Sequence, residues 1–193
     1  MSKEEEMKKI IILVKNCKKC SLYKTRNKPV VGDGSVNAKI LFVGEAPGYN
    51  EDLQGKPFVG KAGKILDELL ESIGLQRDEV YIANILKDRP PNNRNPLASE
   101  IKACTEYLDK QMQIIQPKII VPLGNFATSY IFEKFGLKLD KISNIHGKVF
   151  QMNTIFGKIN IIPFYHPAVA TYNPNEKNIL LEDFKTIQKI INE

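Results

Sequence analysis

The sequence contains few of the residues that build covalent frameworks or nucleotide-binding loops. Its 193 residues include three cysteines, two histidines and no tryptophan. An odd number of cysteines without a signal peptide argues against a disulfide framework and favours metal or redox use. The G-x-G-x-x-G fingerprint of dinucleotide-binding proteins and the G-x-x-x-x-G-K-[ST] phosphate loop are both absent. Any histidine chemistry must involve His146 or His166.

Long apolar runs are also absent, and none approaches the length that a bilayer-spanning helix needs. Residues 1–6 are charged and lack the apolar segment and cleavage site of a secretory signal. We therefore expect a cytoplasmic protein without a membrane partner. The length fits one domain over residues 1–193, with residues 1–38 packed onto it, acting as a monomer.

The net charge is +6, from 28 Lys and Arg against 22 Asp and Glu. An excess of this sign favours a polyanionic partner, because phosphates that bind basic side chains release their counterions. A lysine-rich surface without such a partner would have the same composition. Charge alone therefore leaves both interpretations open.

Short apolar runs alternate with segments of helical periodicity along the chain. The apolar runs predict strands at 40–43, 80–86, 118–123 and 159–165. The periodic segments predict helices at 4–14, 64–73, 99–115, 125–135 and 179–191, whereas the polar stretch 27–37 predicts a loop. This alternation predicts an α/β fold, a three-layer α/β/α sandwich around a central four-stranded, mostly parallel sheet. Pro163 indicates that the fourth strand lies at an edge or ends early.

Polar residues stand at the carboxyl ends of the predicted strands, where sheets of this class bind ligands. Glu45 follows the first strand, Asn84 interrupts the second, and His166 follows the fourth. A buried amide such as that of Asn84 needs partners, because an unpaired one costs roughly 1–3 kcal/mol. Each residue also has a structural interpretation, as part of a connecting loop, as a partner of a neighbouring loop, or as a packed histidine.

Four segments around these positions occur in a set order. They are Gly44-Glu45-Ala46-Pro47-Gly48, Gly55-Lys56-Pro57-Phe58-Val59-Gly60, Arg89-Pro90-Pro91-Asn92-Asn93-Arg94 and His166-Pro167. Each segment is weakly specific alone, but the ordered set closely resembles the family 4 uracil-DNA glycosylases of thermophilic bacteria and archaea. The resemblance extends from Cys17 to the C-terminal helix. It implies a prokaryotic base-excision repair enzyme that flips deoxyuridine out of single- or double-stranded DNA. Such an enzyme hydrolyses the N-glycosidic bond without a catalytic divalent metal and leaves an abasic site.

The resemblance also implies which residues bind uracil. Phe58 is expected to stack on the flipped base, and Asn84 to read its amide edge. Glu51 is expected near the face that rejects the methyl group of thymine. Gly44 and Ala46 are expected to complete the uracil-binding loop.

Two further residues are implied to take part in the chemistry. Breaking the N-glycosidic bond develops negative charge on uracil and positive charge on the sugar. His166 is expected to donate a hydrogen bond to uracil O2, which helps only as the negative charge forms. Glu45 is expected to position water or to stabilise the sugar cation.

The expected DNA contacts are Asn93, Val169 and Tyr172. Members of the family usually carry a basic residue soon after the His-Pro pair, whereas residues 168–174 contain none. Val169 or Tyr172 can instead fill the gap that the flipped base leaves. Tyr172 fits a simple packing role equally well. The C-terminal helix either docks a partner such as a replication clamp or covers the sheet.

The cysteines form a C-x-x-C pair, Cys17 and Cys20, and a single Cys104 on the apolar face of a predicted helix. Taken alone, the pair fits a zinc or redox site, and Cys104 fits a small core residue. The resemblance implies a structural [4Fe-4S] cluster at Cys17, Cys20, Asp88 and Cys104, although relatives generally have cysteine at the third position. A carboxylate is a harder ligand than a thiolate. Three outcomes are therefore open, in which Asp88 binds the fourth iron, that iron is lost, or zinc occupies the site. We expect the first.

Two other functions compete with the glycosylase interpretation. A non-catalytic nucleic-acid-binding module stabilised by a metal cluster would bind DNA without needing Glu45, Asn84 or His166. An iron–sulfur oxidoreductase is disfavoured because the nucleotide-binding fingerprints are missing.

Overall fold

A computed structural model describes residues 1–155 and 157–192 of the chain. Within those ranges, the strands are β1 (Asp33–Gly34), β2 (Ile40–Gly44), β3 (Tyr81–Asn84), β4 (Ile119–Pro122), β5 (Phe150–Thr154) and β6 (Gly157–Ile161). The helices are α1 (Lys3–Lys15), α2 (Tyr49–Gln54), α3 (Lys61–Ser72), α4 (Ala98–Ile115), α5 (Gly124–Lys134), α6 (Ile142–Ile145), α7 (Val169–Tyr172) and α8 (Pro174–Asn192). Three 3-10 turns lie at Ser21–Lys24, Arg77–Glu79 and Pro91–Asn93.

The strands form one mixed sheet in the order β1-β3-β2-β4-β6-β5. The four central strands are parallel to one another, and they correspond to the four that the sequence predicts. The two outer strands, β1 and β5, are antiparallel to the strands beside them. The α/β sandwich is therefore confirmed, but in the described part of the chain the sheet has six strands instead of four.

The fourth predicted strand differs most from its expected bounds. It ends at Ile161, and beyond Pro163 only Phe164 rejoins the sheet, through an isolated bridge to Leu123. The early end expected from Pro163 is thus correct. The edge position is wrong, because β5 pairs along the outer side of β6.

Alternate residues of the central strands point to opposite faces of the sheet, and both faces are buried. In β2, Leu41 and Val43 belong to one core cluster, whereas Ile40 and Phe42 belong to the other. A parallel sheet needs this arrangement, because helices cover it on both sides. The apolar run that predicts β2 therefore shows burial on two faces.

Two sets of helices provide the outer layers of the sandwich. Helices α1, α4 and α5 pack on the face that carries Leu41, and α3 and α8 pack on the opposite face. On α8, the ring of Phe184 stacks on Phe42, with the ring centroids 5.7 Å apart. Leu180 and Ile187 of the same helix are fully buried. The apolar face of α8 therefore covers the sheet, which is one of the two roles expected for this helix.

The N-terminal helix packs on the long helix α4 through Met7, Ile10 and Val14, which are all buried. Its first turn carries a capping box, in which Ser2 and Glu5 bond to each other's backbone N–H groups. No helix within residues 1–155 and 157–192 is long and apolar enough to cross a membrane.

Candidate active site

A cavity of about 440 Å³ opens at the carboxyl ends of the central strands. The loops after β2, β3 and β6 and the first turn of α3 enclose it, so it lies where the fold predicts a ligand site. Its lining residues are Glu45, Ala46, Pro47, Gly48, Glu51, Phe58, Lys61, Ala62, Asn84, Pro90, Asn93, Arg94, His166, Ala168, Thr171 and Tyr172. Most of the residues predicted from the sequence to bind uracil therefore share one cavity.

Gly44 is not among the described residues that line the cavity, and it ends β2 where that strand pairs with β3. It is in register with Asn84. A Cβ atom at position 44 would lie 2.3 Å from Asn84 Oδ1 and 2.7 Å from a ring carbon of Phe58. Only glycine therefore allows the Asn84 amide and the Phe58 ring to approach the same point of the backbone.

The side chain of Asn84 is 2% exposed and turns towards the cavity. Its backbone carbonyl accepts a hydrogen bond of 2.9 Å from Lys87 Nζ. Within residues 1–155 and 157–192, its side-chain amide has no hydrogen-bonding partner. A buried amide offers both a donor and an acceptor, so this one is available to a ligand that presents the complementary pair.

Phe58 presents its ring to the cavity from a left-handed backbone conformation, with φ of 52°. Its ring faces that of His166, with the centroids 5.5 Å apart and the planes inclined by 24°. Gly63 makes room for this backbone, because a Cβ atom there would lie 1.9 Å from the Phe58 carbonyl oxygen.

The protonation state of His166 follows from its surroundings. Burial lowers its pKa to about 4, despite an opposing effect of the Glu51 charge, so the imidazole is neutral at pH 7. The backbone N–H of Ala168 donates a 3.2 Å hydrogen bond to Nδ1. Because Nδ1 accepts, the ring proton resides on Nε2, and His166 can act as a neutral hydrogen-bond donor.

Two carboxylates line the cavity, and they have different partners. The Glu51 carboxylate accepts from the N–H of Gly48 at 3.1 Å and from those of Val59 and Gly60 at 2.9 Å each. It therefore connects the loop after β2 to the segment that follows Phe58. The carboxylate of Glu45 has no hydrogen-bonding partner in the described ranges, whereas its backbone carbonyl accepts from the N–H of Leu86 at 3.0 Å. Burial raises the pKa of Glu45 above its usual value. Glu45 is therefore the carboxylate available for chemistry, and Glu51 is held in place as a lining group.

The predicted DNA contacts occupy different positions. Asn93 lines the cavity and accepts from Arg89 Nε at 2.7 Å. Tyr172 lies at the cavity rim and is 89% exposed. Val169 is not among the described lining residues and packs partly buried against the core. Of Val169 and Tyr172, the two residues predicted to fill the gap that the flipped base leaves, Tyr172 is thus the one exposed to solvent.

Several lining residues were not singled out in the sequence. Lys61 follows Gly60 at the start of α3, and a glycine-lysine pair at a helix N-terminus is a signal that can indicate anion binding. Arg94 lies in one of the quoted segments, but its guanidinium pairs with Glu100, at 2.6 and 2.9 Å. This pairing joins residues only six apart, and it holds the Arg94 side chain against the first turn of α4.

The cysteines lie around a separate, smaller cavity between α1 and α4. Cys17, Cys20, Asp88 and Cys104 all line it, and the space between their side chains is about 10 Å³. The backbone N–H of Lys87 donates to Cys104 Sγ at 3.1 Å. Burial raises the pKa of Cys104 to about 12, so a bound metal would have to displace the thiol proton.

Asp88 has a partner of opposite charge. Both of its carboxylate oxygens accept from Arg26 Nη1, at 3.1 and 2.9 Å, and Arg26 Nη2 donates to the carbonyl of Lys15. Burial raises the pKa of Asp88, and the Arg26 charge lowers it. Asp88 is therefore tied to the end of α1 as well as facing the cysteines.

The fit of this donor set to a metal group depends on spacing. Among the described residues, no three His, Cys, Asp or Glu side chains come close enough to hold one metal ion. The ligands of a four-iron cluster each bind a different iron and are therefore more widely spaced than the ligands of a single zinc ion. Three thiols and a carboxylate around one cavity are donor types that an iron–sulfur cluster can take, with the carboxylate the harder ligand.

Comparison with known proteins gives consistent matches. Residues 31–189 match the family model of the uracil DNA glycosylase superfamily. A type-4 uracil-DNA glycosylase of Sulfurisphaera tokodaii is 50% identical over 96% of this chain and 85% of its own length. That of Saccharolobus solfataricus is 48% identical over 92% and 83%, and that of Archaeoglobus fulgidus is 46% identical over 96% and 94%.

The crowding at Gly44 yields a prediction about stability. We expect Gly44→Ala to destabilise the fold by about 1–3 kcal/mol, because the added methyl group overpacks a rigid site between Phe58 and Asn84. Denaturant unfolding measures this change. Gly60→Ala is the matched control, since a Cβ atom there meets nothing closer than 3.3 Å. Equal losses in the two variants would contradict the crowding at position 44.

Proposed function

Because this chain belongs to the uracil DNA glycosylase superfamily and, within it, to the type-4 uracil-DNA glycosylases, we infer that it is an enzyme that removes uracil from DNA. The family, the fold class and the enzyme class predicted from the sequence are thus confirmed. The non-catalytic module and the oxidoreductase are set aside. The roles of individual residues, the metal cluster and the details of the substrate are our proposals.

One observation carries the assignment of the active site. Glu45, Phe58, Asn84 and His166 come from four separate stretches of the chain, yet all line one cavity of about 440 Å³. The target bond is inaccessible within the base stack, so a glycosylase must turn the nucleotide out of the duplex into such a cavity. We propose that this cavity receives the extruded uracil.

Recognition of the base is assigned to its face and its edge. Phe58 stacks on the uracil ring, and the absence of a side chain at Gly44 leaves room for the Phe58 ring. The unpartnered amide of Asn84 pairs with the adjacent carbonyl and N–H of uracil, so a base without that pattern leaves a buried amide unsatisfied. Three backbone N–H groups fix the Glu51 side chain. Glu51 therefore cannot move aside for the 5-methyl group of thymine, and thymine is excluded sterically.

Bond cleavage is assigned to His166 and Glu45. As the bond to deoxyribose breaks, negative charge develops on uracil, and the neutral His166 donates its Nε2–H to O2. This hydrogen bond strengthens only as charge forms, so it lowers the barrier instead of merely tightening binding. The Glu45 carboxylate stabilises the positive sugar or orients the attacking water. These steps require no divalent metal, and they leave an abasic site.

The exposed residues at the rim are assigned to the rest of the DNA. Tyr172 enters the gap that uracil vacates, and Asn93 contacts the adjacent backbone. The net charge of +6 favours phosphate binding. We propose that the chain acts as a monomeric single domain in the prokaryotic cytoplasm, on single- and double-stranded DNA.

The four residues around the second cavity are assigned to a [4Fe-4S] cluster. Cys17, Cys20 and Cys104 would provide thiolates and Asp88 the fourth ligand, in competition with its ion pair to Arg26. When bound, the cluster supplies cross-linking between segments of the fold. It would join the end of α1 to the loop after β3 and to α4, which is a structural role.

Excision of uracil tests the function and the role of His166 together. We expect the protein to remove uracil from a uracil-containing oligonucleotide, so that alkali then cleaves the strand at the abasic site, and to leave the matching thymine oligonucleotide intact. His166→Ala should raise the activation free energy of the single-turnover step by about 2.7–4 kcal/mol, as the loss of an oxyanion-type donor does.

The other histidine provides the matched control for this measurement. His146 pairs with Asp183 at 2.9 Å and is not among the described residues that line the cavity. We expect His146→Ala to retain the rate of excision. An unchanged rate for His166→Ala would contradict the assignment of His166 as the hydrogen-bond donor to uracil O2.

The dependence of the rate on pH should separate the two catalytic residues. The raised pKa of Glu45 means that its carboxylate becomes protonated at a higher pH than the usual value of about 4.3. The lowered pKa of His166, about 4, means that the imidazole becomes protonated at a lower pH than the Glu45 carboxylate. Single-turnover rates should therefore fall with decreasing pH through the pKa of Glu45, and Glu45→Gln should be slow and lose this inflection. An inflection near 6.5 that persists in Glu45→Gln would assign the titration to an ordinary histidine instead.

The cluster assignment predicts that the purified protein contains iron and acid-labile sulfide. Asp88→Cys should bind the cluster more tightly, because thiolate is the softer ligand, and should lose iron more slowly in air. Metal analysis and the decay of visible absorbance measure this. Asp109→Cys adds a thiol on α4 in place of another ion-paired aspartate and serves as the control. Zinc without sulfide, or equal decay in all three proteins, would argue against Asp88 as a cluster ligand.

A further inference from the structure

The backbone of Phe58 is held in an unfavourable conformation. Its φ of 52° lies in the left-handed region, where the Cβ atom of a non-glycine residue crowds the backbone. The residue is also 5% exposed, and its ring must lie flat against the cavity to stack on a base. Such a conformation persists only where the surrounding structure enforces it.

The carbonyl groups of this loop are held by one distant side chain. Arg77, in the 3-10 turn before β3, donates from Nη1 to the carbonyl of Phe58 at 2.9 Å. Its Nη2 donates to the carbonyl of Pro57. The guanidinium thus grips two successive carbonyls on the N-terminal side of the α3 helix.

The guanidinium is itself oriented by a carboxylate. Asp67, on α3, accepts from Arg77 Nη1 at 2.8 Å. Arg77 is about three-quarters buried, with 26% of its side chain exposed, so water screens these contacts only in part. A planar fork with several fixed donors is needed to reach both carbonyls and the carboxylate, and an ammonium group cannot reproduce it.

The other contacts to this loop involve the residues that come after Phe58 in the chain. Glu51 accepts from the N–H groups of Val59 and Gly60, and Gly63 only leaves space for the Phe58 carbonyl. Among the described residues, Arg77 is therefore the side chain that fixes the carbonyl side of Phe58.

We propose that Arg77 is a positioning residue for base stacking, which holds the Phe58 ring in the place where the extruded uracil lands. The proposal rests on the stacking role assigned to Phe58 above. Arg77 does not line the cavity and touches no substrate, so it acts through Phe58. Its alternative role is to join α3 to the sheet as a purely structural ion pair.

A double-mutant cycle with Phe58 distinguishes the two roles. The probe is single-turnover excision from a uracil-containing oligonucleotide, with inhibition by free uracil measured alongside. Arg77→Gln should slow excision by about 10- to 100-fold, as expected for misplacement of a contact group by about 1 Å. In the Phe58→Ala background the same change should alter the rate by less than about 2-fold, because the group it positions is gone. Inhibition by free uracil should weaken in the same pattern.

Three further variants make the result specific. Arg77→Lys should fall between the wild type and Arg77→Gln, and Asp67→Asn should have a smaller effect that also vanishes in the Phe58→Ala background. Lys177→Gln breaks the exposed ion pair between α8 and Glu68 of α3 and should leave excision unchanged. Circular dichroism at the assay temperature establishes that each variant is folded. Should Arg77→Gln not fold, Arg77→Lys and Asp67→Asn complete the cycle.

Equal losses in the Phe58 and Phe58→Ala backgrounds, or no loss in either, would overturn the proposal. A wild-type protein that does not excise uracil would instead overturn the proposed function. An active enzyme in which Phe58→Ala has no effect would refute the stacking role and the role of Arg77 with it. The assignments to His166 and Glu45 would be untouched.

Discussion

The parallel pairing of β2 with β3 sets Gly44 beside Asn84, and the other groups of the pocket are arranged around that pair. The missing side chain at position 44 lets the Asn84 amide and the Phe58 ring approach one point on the backbone. A shift of register by one residue would turn Asn84 into the core and put a bulky neighbour in place of the glycine. The observed register is the one in which the side chains on both faces pack into the two core clusters. Hydrophobic packing on both faces of the sheet thus supports the geometry of the proposed base-recognition site at its carboxyl end.

Burial shifts the pKa values of the two groups proposed to act in bond cleavage in opposite directions. Desolvation disfavours charge, so it lowers the pKa of His166 and raises that of Glu45. For His166 the result is a neutral donor, whose orientation is set by the N–H of Ala168. For Glu45 the result is a carboxylate whose negative charge is poorly solvated, which suits the proposed role of stabilising a developing cation. Glu51 is in the same pocket, but three backbone donors already satisfy it, which separates a structural carboxylate from a reactive one.

The sequence predicts those parts of the molecule that local patterns encode. The four central strands are continuous apolar runs, and Asn84 is conspicuous because it interrupts one of them. The outer strands are not predictable in this way, since β1 has two residues and β5 alternates exposed with half-buried positions and lacks a continuous apolar run. Pairings over long sequence distances are missed for a related reason. The contacts of Arg77 to Phe58 and of Arg26 to Asp88 join segments 19 and 62 residues apart, and no periodicity connects them.

The short stretch from Asn84 to Asp88 serves both cavities at once. Lys87 is 1% exposed, donates from its ammonium group to the carbonyl of Asn84 and to Gln111, and donates from its backbone to Cys104. The proposed uracil pocket and the cysteine site therefore share one buried support and are not separable modules. A transfer of this pocket to another scaffold would therefore have to include the buried lysine and its partners. Without them, the backbone that carries the Asn84 amide would lose the hydrogen bond that holds it in place.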